Sequence, residues 1–293
     1  MNVRSYALIL YLGCFVYQMS AQADPLAELI VTHNRMAKAF EDEARLAAHE
    51  QLEEAMVRVW SENDFWKTDL SALEGKLGIA SVGEGSNRMA VITWNVELSD
   101  RTNQYGGIIL FIDRQGEQQL EPLKFRPSTS LRETLNSKSR YSADSWPGAI
   151  YYKAILQMQG NRPVYTLLGW DGADDVRTRK IIETLSISGN RVKFGVPIID
   201  LGRGSVKRYI LEYADAVSVS LQWREDMGMI VMDHLSAPDA NSQDNTAYYG
   251  PDLTYDGMEW KNNHWVLREN IEVRDLEIDA PWNNPKRNRS RRN

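Results

Sequence analysis

The 293-residue chain carries 34 lysines and arginines against 40 aspartates and glutamates, a formal net charge of −6 at pH 7. This acidic balance argues against a nucleic-acid partner, because clustered basic side chains drive binding to phosphate backbones. The only cysteine, Cys14, lies in the amino-terminal leader described next, so the rest of the chain can form neither disulfides nor cysteine-ligated metal sites.

The first 23 residues have the pattern of a secretory signal peptide. Arg4 supplies the positive n-region, residues 6–17 (YALILYLGCFVY) form the apolar run, and residues 21–23 (Ala-Gln-Ala) carry the small side chains that signal peptidase reads. The run is shorter than the roughly 20 residues of a membrane-spanning helix, and no second run follows it. We therefore predict an exported protein, periplasmic or secreted, whose mature chain begins near Asp24 and has no transmembrane segment.

A lipid anchor on Cys14 is the less favoured alternative for this leader. Lipoprotein signals usually place a leucine three residues before the cysteine and a small residue two before it, whereas this chain has Tyr11 and Leu12 at those positions. The apolar run also continues beyond Cys14. Cleavage after the Ala-Gln-Ala sequence is the simpler interpretation.

Residues 24–75 have a helical pattern. From Leu26 to Trp60, apolar side chains recur at spacings of three and four residues, and the opposite face is charged. No glycine or proline interrupts this stretch. The pattern predicts one long helix or two nearly collinear helices, followed by a short helix around Ser71 that ends at Gly75.

The apolar period then changes from helical to alternating. Residues 89–96 and 105–112 are typical of paired strands, closed by a turn at residues 113–116. Further strands are predicted to follow as antiparallel hairpins, two of them around the turns Gly160-Asn161 and Gly189-Asn190. These later predicted strands cover residues 149–159, 163–170, 181–188, 191–197, 207–213, 217–224, 229–234, 257–260 and 264–267.

The predicted fold class is α+β, with a helical segment packed on an antiparallel sheet and a larger carboxy-terminal antiparallel meander that closes as a sandwich or partial barrel. No helix of crossover length separates the later strands, which argues against a doubly wound parallel sheet. The predicted division of the chain is a signal peptide (1–23), a helical segment (24–75), a small β subdomain (76–125), a connection (126–147), an antiparallel β domain (148–280) and a disordered basic tail (281–293).

Four segments of the carboxy-terminal half carry a resemblance to other proteins. They are residues 165–172 (YTLLGWDG), 207–213 (KRYILEY), 229–235 (MIVMDHL) and 248–257 (YYGPDLTYDG). In these segments the chain resembles a group of exported Bacteroidetes proteins of unknown function. The resemblance implies an envelope or secreted setting, and it implies no activity.

Two of these segments place aromatic and acidic side chains together, which suits a ligand-binding site. Aromatic rings can stack on sugars, although tryptophans in strands, such as Trp94 and Trp265, more often pack in the core. The candidate ligand-binding residues are Trp170, Asp171, Tyr248, Tyr249 and Asp252.

We predict no cofactor and no metal site. The acidic turn at residues 169–175 departs from the calcium-binding EF-hand pattern, because its glycine comes too early and no glutamate follows at the twelfth position. The four histidines form no His-x-x-x-His pair. Asp233 and His234 are adjacent on a predicted strand, so their side chains point to opposite faces and cannot pair with each other.

Acidic residues near strand ends leave a glycosidase open as an alternative. Such an enzyme needs two carboxyl groups about 5 to 9 Å apart across a cleft, which a linear sequence does not reveal. The candidate acids are Glu212, Glu225, Asp226, Asp252, Asp256 and Glu259.

The sequence therefore favours a non-enzymatic protein of the cell envelope that binds a ligand or partner through its sheet face. The alternative is a hydrolase acting on envelope glycans or lipids, and a structural scaffold without a pocket is a third hypothesis. An acid and a histidine converging in a deep pocket would favour the enzyme. The basic tail could add weak contact with anionic lipid headgroups.

Overall fold

The computed structural model describes residues 24–127 and 137–273. The predicted signal peptide with Cys14, part of the predicted connection, the end of the predicted β domain and the basic tail lie outside the described residues. In the described ranges, 21% of the chain is helix and 46% is strand, so the predicted α+β class is confirmed. No helix in these ranges combines the length and apolarity needed to cross a bilayer.

In the part of the chain that the structure describes, two α-helices precede sixteen strands. Their bounds are α1 Ala27–Lys38, α2 Asp42–Glu62, β1 Gly78–Val82, β2 Met89–Glu97, β3 Asn103–Ile112, β4 Gln118–Leu123, β5 Tyr141–Ser142, β6 Ile150–Gln159, β7 Arg162–Asp171, β8 Arg177–Ser188, β9 Arg191–Phe194, β10 Ile199–Asp200, β11 Ser205–Val206, β12 Arg208–Ala214, β13 Leu221–Arg224, β14 Met229–Ser236, β15 Gly250–Lys261 and β16 His264–Arg268.

The two helices form an antiparallel hairpin, so the prediction of one long or two collinear helices is wrong. Arg35 Nη1 donates to Gln51 Oε1 at 2.6 Å, and Arg58 pairs with Glu28. The chain reverses at residues 39–41, where Phe40 is 88% exposed. Phe40 is apolar and the turn contains no glycine or proline. The helical spacing of apolar residues in the sequence therefore continues through the turn without a break. The break allows α1 to pack back on α2, which in turn contacts sheet one.

Three sheets follow the helices. Sheet one has the strand order β1-β2-β3-β4, sheet two has the order β5-β9-β8-β7-β6 with β12 also paired to β8, and sheet three has the order β11-β10-β16-β15-β14-β13. The strands of these sheets pair antiparallel except for β10 and β16. The predicted hairpins at Gly160-Asn161 and Gly189-Asn190 are confirmed. The later strands nevertheless leave simple meander order, because β12 returns to β8 before the chain completes sheet three.

Three hydrophobic cores stack these elements in the order helices, sheet one, sheet two, sheet three. The first core joins the helices to one face of sheet one, and the second joins the other face of sheet one to sheet two. The third lies between sheet two and sheet three. Neighbouring residues of β2 show the alternation that results: Ile92 packs toward the helices and Val91 toward sheet two. Both faces of sheets one and two are therefore largely covered.

Sheets one and two meet at a tight corner formed by β1, β2 and β6. A Cβ atom on Gly78 would lie 2.7 Å from the Tyr151 carbonyl oxygen, so only glycine allows the two strands to approach this closely. The Tyr151 amide donates to Thr93 Oγ1 at 2.9 Å, and the pairing register of β6 shifts between Tyr151 and Lys153. This contact holds the two sheets as the halves of one sandwich.

Candidate functional site

Asp171 lies at the end of β7 in a rung of charged side chains that crosses sheet two. Strand pairing aligns Asp171 with Arg179 on β8, and Arg179 with Glu212 on β12. Arg179 Nη1 donates to Asp171 Oδ2 at 3.0 Å, and Arg179 Nε donates to Glu212 Oε2 at 2.6 Å. Tyr105 on sheet one donates its hydroxyl to Asp171 Oδ1 at 2.8 Å. The rung therefore ties three strands of sheet two to sheet one.

Every acidic group in this rung is already engaged. The other oxygen of Glu212 accepts a hydrogen bond from Thr246, and Asp171 Oδ1 also accepts from the Ala173 amide. Burial alone would raise the pKa of Glu212, but the hydrogen bonds from Thr246 and Arg179 outweigh it and hold the pKa below its usual value. Since both carboxylates are saturated, the rung stabilises the sheet and has no free acid or base to offer a ligand.

The other predicted ligand-binding residues fall into two separate places. Trp170 is half-buried beside Gly172, and Tyr249 lies next to β12, where its carbonyl accepts the Ala214 amide at 3.0 Å. Tyr248 is 59% exposed on the same segment as Thr246. Asp252 instead lies on β15, with its carboxylate 3.9 Å from His234 Nε2. These five side chains therefore do not surround one pocket.

A histidine–aspartate pair that the sequence did not reveal lies between sheets two and three. His234 on β14 places Nδ1 2.8 Å from Asp256 Oδ2 on β15. Asp256 is buried, and its Oδ1 accepts the Asn270 amide at 3.1 Å. The hydrogen bond to Asp256 raises the pKa of His234, and the charges of Asp252 and Glu269 act in the same direction.

The expected exclusion of an Asp233–His234 pair agrees with the contacts of Asp233. Its carboxylate accepts the Ser220 amide at 2.7 Å, on the other side of the strand from the partner of His234. Finding Asp256 as that partner required the register of β14 against β15, which is irregular between Asp233 and Leu235. A linear sequence contains no signal for that irregularity.

We expect the His234–Asp256 pair to stabilise the fold more at acidic than at basic pH. The raised pKa means that the folded protein holds the His234 proton more tightly than the unfolded chain, so this contribution is complete below about pH 6.5 and is lost as pH rises through the folded pKa. His234→Asn keeps a donor toward Asp256 but does not titrate. Urea unfolding should therefore show a wild-type advantage over His234→Asn at pH 5.5 that shrinks by pH 8.5.

His33 provides a control of opposite sign for this pH dependence. Burial lowers its pKa, so its contribution is present above about pH 6.5 and is lost as pH falls toward the folded pKa. The difference in unfolding free energy between His33→Gln and wild type should therefore shift in favour of His33→Gln as the pH falls from 8.5 to 5.5. An advantage of wild type over His234→Asn that is independent of pH would show that the pair with Asp256 does not titrate as described.

The clefts on the surface of the described residues include four with volumes between about 410 and 710 Å3. The largest of these four, about 710 Å3, lies at the hairpin end of the sandwich of sheets one and two, and we call it the tip cleft. A second, about 580 Å3, lies between the helices, β2 and β6. Two others, of about 610 and 410 Å3, flank α2. His234 and Asp256 line none of these four clefts.

Most polar groups of the cleft beside the helices are occupied. Arg45 donates to the carbonyl oxygens of Ala39 and Glu97 at 2.9 and 2.8 Å, and Lys76 donates to that of Ala72 at 2.9 Å. His33 Nδ1 has no partner among the described residues, but it has no exposed surface through which a ligand could reach it. The cleft therefore offers a ligand few free polar groups.

The tip cleft is different because its two arginine side chains are free. Arg114 in the β3–β4 turn and Arg162 at the start of β7 are both exposed, and neither guanidinium group has an ion pair or hydrogen bond with any residue in the described ranges. The one acid in the lining, Asp113, is engaged by its own turn: Oδ1 accepts the Gln115 and Glu117 amides at 2.9 Å each. The hydrogen bond from the Glu117 amide is the main reason why the pKa of Asp113 lies below its usual value.

Neutral polar side chains surround these arginines. The Tyr165 hydroxyl donates to the Asn87 carbonyl at 3.1 Å and closes the cleft on the sheet-one side. Phe111 and Ile187 form apolar parts of the wall. The remaining amide and hydroxyl side chains of the lining are those of Ser86, Asn87, Gln159, Asn161, Ser186, Ser188 and Asn190.

The tip cleft lies far from the predicted ligand-binding residues. Arg162 and Asp171 are the two ends of β7, so about 30 Å of strand separates the cleft from the charged rung. The cleft could not be predicted from the sequence because its walls come from four turns that are distant in the chain. Arginines within turn sequences were the available signal, although exposed turn arginines are common in proteins that bind nothing there.

Burial and side-chain positions bear on two other features of the sequence. Trp94 and Trp265 are buried in the core, as predicted, with 2% and 0% exposure. Across the described ranges, no group of three or more histidine, cysteine, aspartate or glutamate side chains is placed to hold a metal ion. Comparison with protein-family models, with curated proteins and with solved structures finds no match to this chain.

Proposed function

We propose that this chain is an exported protein of the cell envelope that binds a small polar ligand in the tip cleft, without catalysis. The single observation that carries the proposal is a cleft of about 710 Å3, within the range of small-molecule sites, whose two arginines lack partners among the described residues. The carboxylates of the charged rung, by contrast, are engaged by Arg179, Tyr105 and Thr246. The leader pattern and the resemblance to exported Bacteroidetes proteins support the envelope setting.

The test is fractionation of the source cells followed by native mass spectrometry of the protein. We expect a mature chain that begins near Asp24, recovered from the envelope or the medium, with a bound small molecule. Recovery from the cytoplasm with residues 1–23 intact would contradict the export proposal. A lipid on Cys14 would show that the protein is a lipoprotein, which is the alternative interpretation of the leader.

Filling the tip cleft tests whether it holds that molecule. Ser188 is exposed at the end of β8 and lines the cleft, so Ser188→Trp should fill part of its volume and abolish the bound mass. Ser205→Trp is the matched control, because Ser205 is an exposed strand serine outside the lining. Retention of the molecule by Ser188→Trp would contradict binding in the tip cleft.

A hydrolase acting on envelope glycans or lipids is the second candidate, and the His234–Asp256 pair favours it. A buried aspartate that holds an imidazole by Nδ1 is the arrangement that orients a general base. No described cleft among the four opens on this pair, which is why binding is the first proposal. Hydrolysis of an envelope glycan or ester that is lost in His234→Asn but retained in His264→Asn would make the hydrolase the better-supported function.

A further inference from the structure

We infer that the ligand of the tip cleft is an acidic saccharide, which a carboxylate on the sugar anchors to Arg114 and Arg162. This inference rests on the proposed function and deepens it. A guanidinium group presents donors in a planar fork that matches a carboxylate, and such charge-assisted hydrogen bonds are stronger than neutral ones. Two guanidinium groups that line one concavity supply that fork twice.

The charge of the whole protein makes these two arginines informative. The chain has six more acidic than basic residues, yet no carboxylate of the described ranges lies within ion-pair distance of Arg114 or Arg162. The buried or half-buried arginines on the strands of sheet two, by contrast, have carboxylate partners, such as Arg177 with Asp174 and Arg179 with Asp171. The tip cleft is thus a locally basic concavity on an acidic protein, and such a concavity attracts anions.

The neutral lining indicates that the anion also carries hydroxyl groups. Amide and serine side chains both donate and accept hydrogen bonds, as a sugar hydroxyl requires of its partners. Asn87, Asn161 and Asn190 come from three different turns and Ser186 and Ser188 from β8, so such groups lie on several sides of the cleft. Phe111 is 3% exposed and belongs to the core, but half-buried Ile187 gives the wall an apolar part that suits the apolar face of a sugar ring.

Calorimetric titration with trigalacturonic acid tests the inference. The uncharged galactose trimer of the same linkage and inorganic phosphate serve as the other two probes. We expect trigalacturonic acid to bind wild-type protein at least about tenfold more tightly than either of these probes. Raising NaCl from about 50 to about 500 mM should weaken the binding, because salt screens exposed charges.

Variants of the two arginines supply the second half of the test. Arg114→Gln with Arg162→Gln should weaken trigalacturonic acid binding about tenfold or more, whereas Arg203→Gln, an exposed arginine in the β10–β11 turn, should leave it unchanged. All three substitutions are at exposed positions, so equal unfolding midpoints in urea would show that the fold is intact.

Three results would overturn the inference, and each leaves a different part of the proposed function standing. If the neutral trimer binds as tightly as trigalacturonic acid and the arginine variants do not weaken the binding, the tip cleft is a saccharide site that does not select for an acidic sugar. If phosphate binds as tightly as trigalacturonic acid, the tip cleft is an anion site that does not recognise the sugar. If no probe binds while wild-type protein still carries a molecule that Ser188→Trp loses, the tip cleft binds a ligand of another class.

Discussion

Replacing Arg208 with methionine is expected to lower the free energy of unfolding by about 3–5 kcal/mol, because it leaves the Glu183 carboxylate buried without its cation. Arg208 and Glu183 have side-chain exposures of 0% and 1%, and Arg208 Nε donates to Glu183 Oε2 at 2.8 Å. Arg208 also donates to the Ser139 carbonyl and lies over the Tyr141 ring. Urea unfolding at pH 7 measures the loss.

Removing both charges separates the cost of an unpaired ion from the worth of the pair. Burial raises the pKa of Glu183 even beside Arg208, which shows that desolvation of its charge is the larger effect. The double variant Glu183→Leu with Arg208→Met should therefore be markedly more stable than Arg208→Met alone. Lys124→Met is the control, since its exposed pair with Asp144 should contribute nothing measurable. Additive losses in the double variant would contradict this account.

Replacing Trp94 with alanine is the second change expected to cost about 3–5 kcal/mol, because it opens a cavity between the helices and sheet one. Trp94 is 2% exposed, and its Nε1 donates to His49 Nδ1 on α2 at 3.1 Å. The residue thus joins the helical hairpin to the sheet by both packing and a hydrogen bond. Trp223→Ala, at a half-buried tryptophan on edge strand β13, should cost clearly less.

A glycine on the neighbouring strand makes room for the Trp94 ring and allows a sharper test. Gly106 is paired with Trp94, and a Cβ atom there would lie 2.3 Å from indole Cε2. Gly106→Ala should cost about 1–3 kcal/mol in wild-type protein through overpacking, and much less in Trp94→Ala, where the ring is gone. Equal costs in the two backgrounds would show that the glycine and the ring do not interact as described.

Local patterns were sufficient to predict the fold class and the hairpins. The turn Gly160-Asn161 places φ at +60° on its glycine, a backbone state that neighbouring residues can specify without distant contacts. Strands β2 and β3 were predicted to within a few residues for the same reason. Strand β4 was missed because its sequence lacks strong alternation, and it exists through pairing with β3.

The candidate sites were less accessible to sequence analysis because they depend on which strands become neighbours. Asp171 was named as a ligand-binding residue, but strand register places Arg179 and Glu212 beside it and turns it into part of a structural rung. The same dependence created the His234–Asp256 pair and assembled the tip cleft from separate turns. In each case the partner lies on another strand.

The sequence by itself determined the alternation of apolar side chains, the positions of tight turns and the absence of thiols after residue 23, since each depends only on residues adjacent in the chain. The tertiary structure alone decided the reversal at Phe40, the return of β12 to β8 and the free arginines of the tip cleft. These features depend on burying apolar faces against one another, and the free energy of that burial belongs to pairs of distant segments.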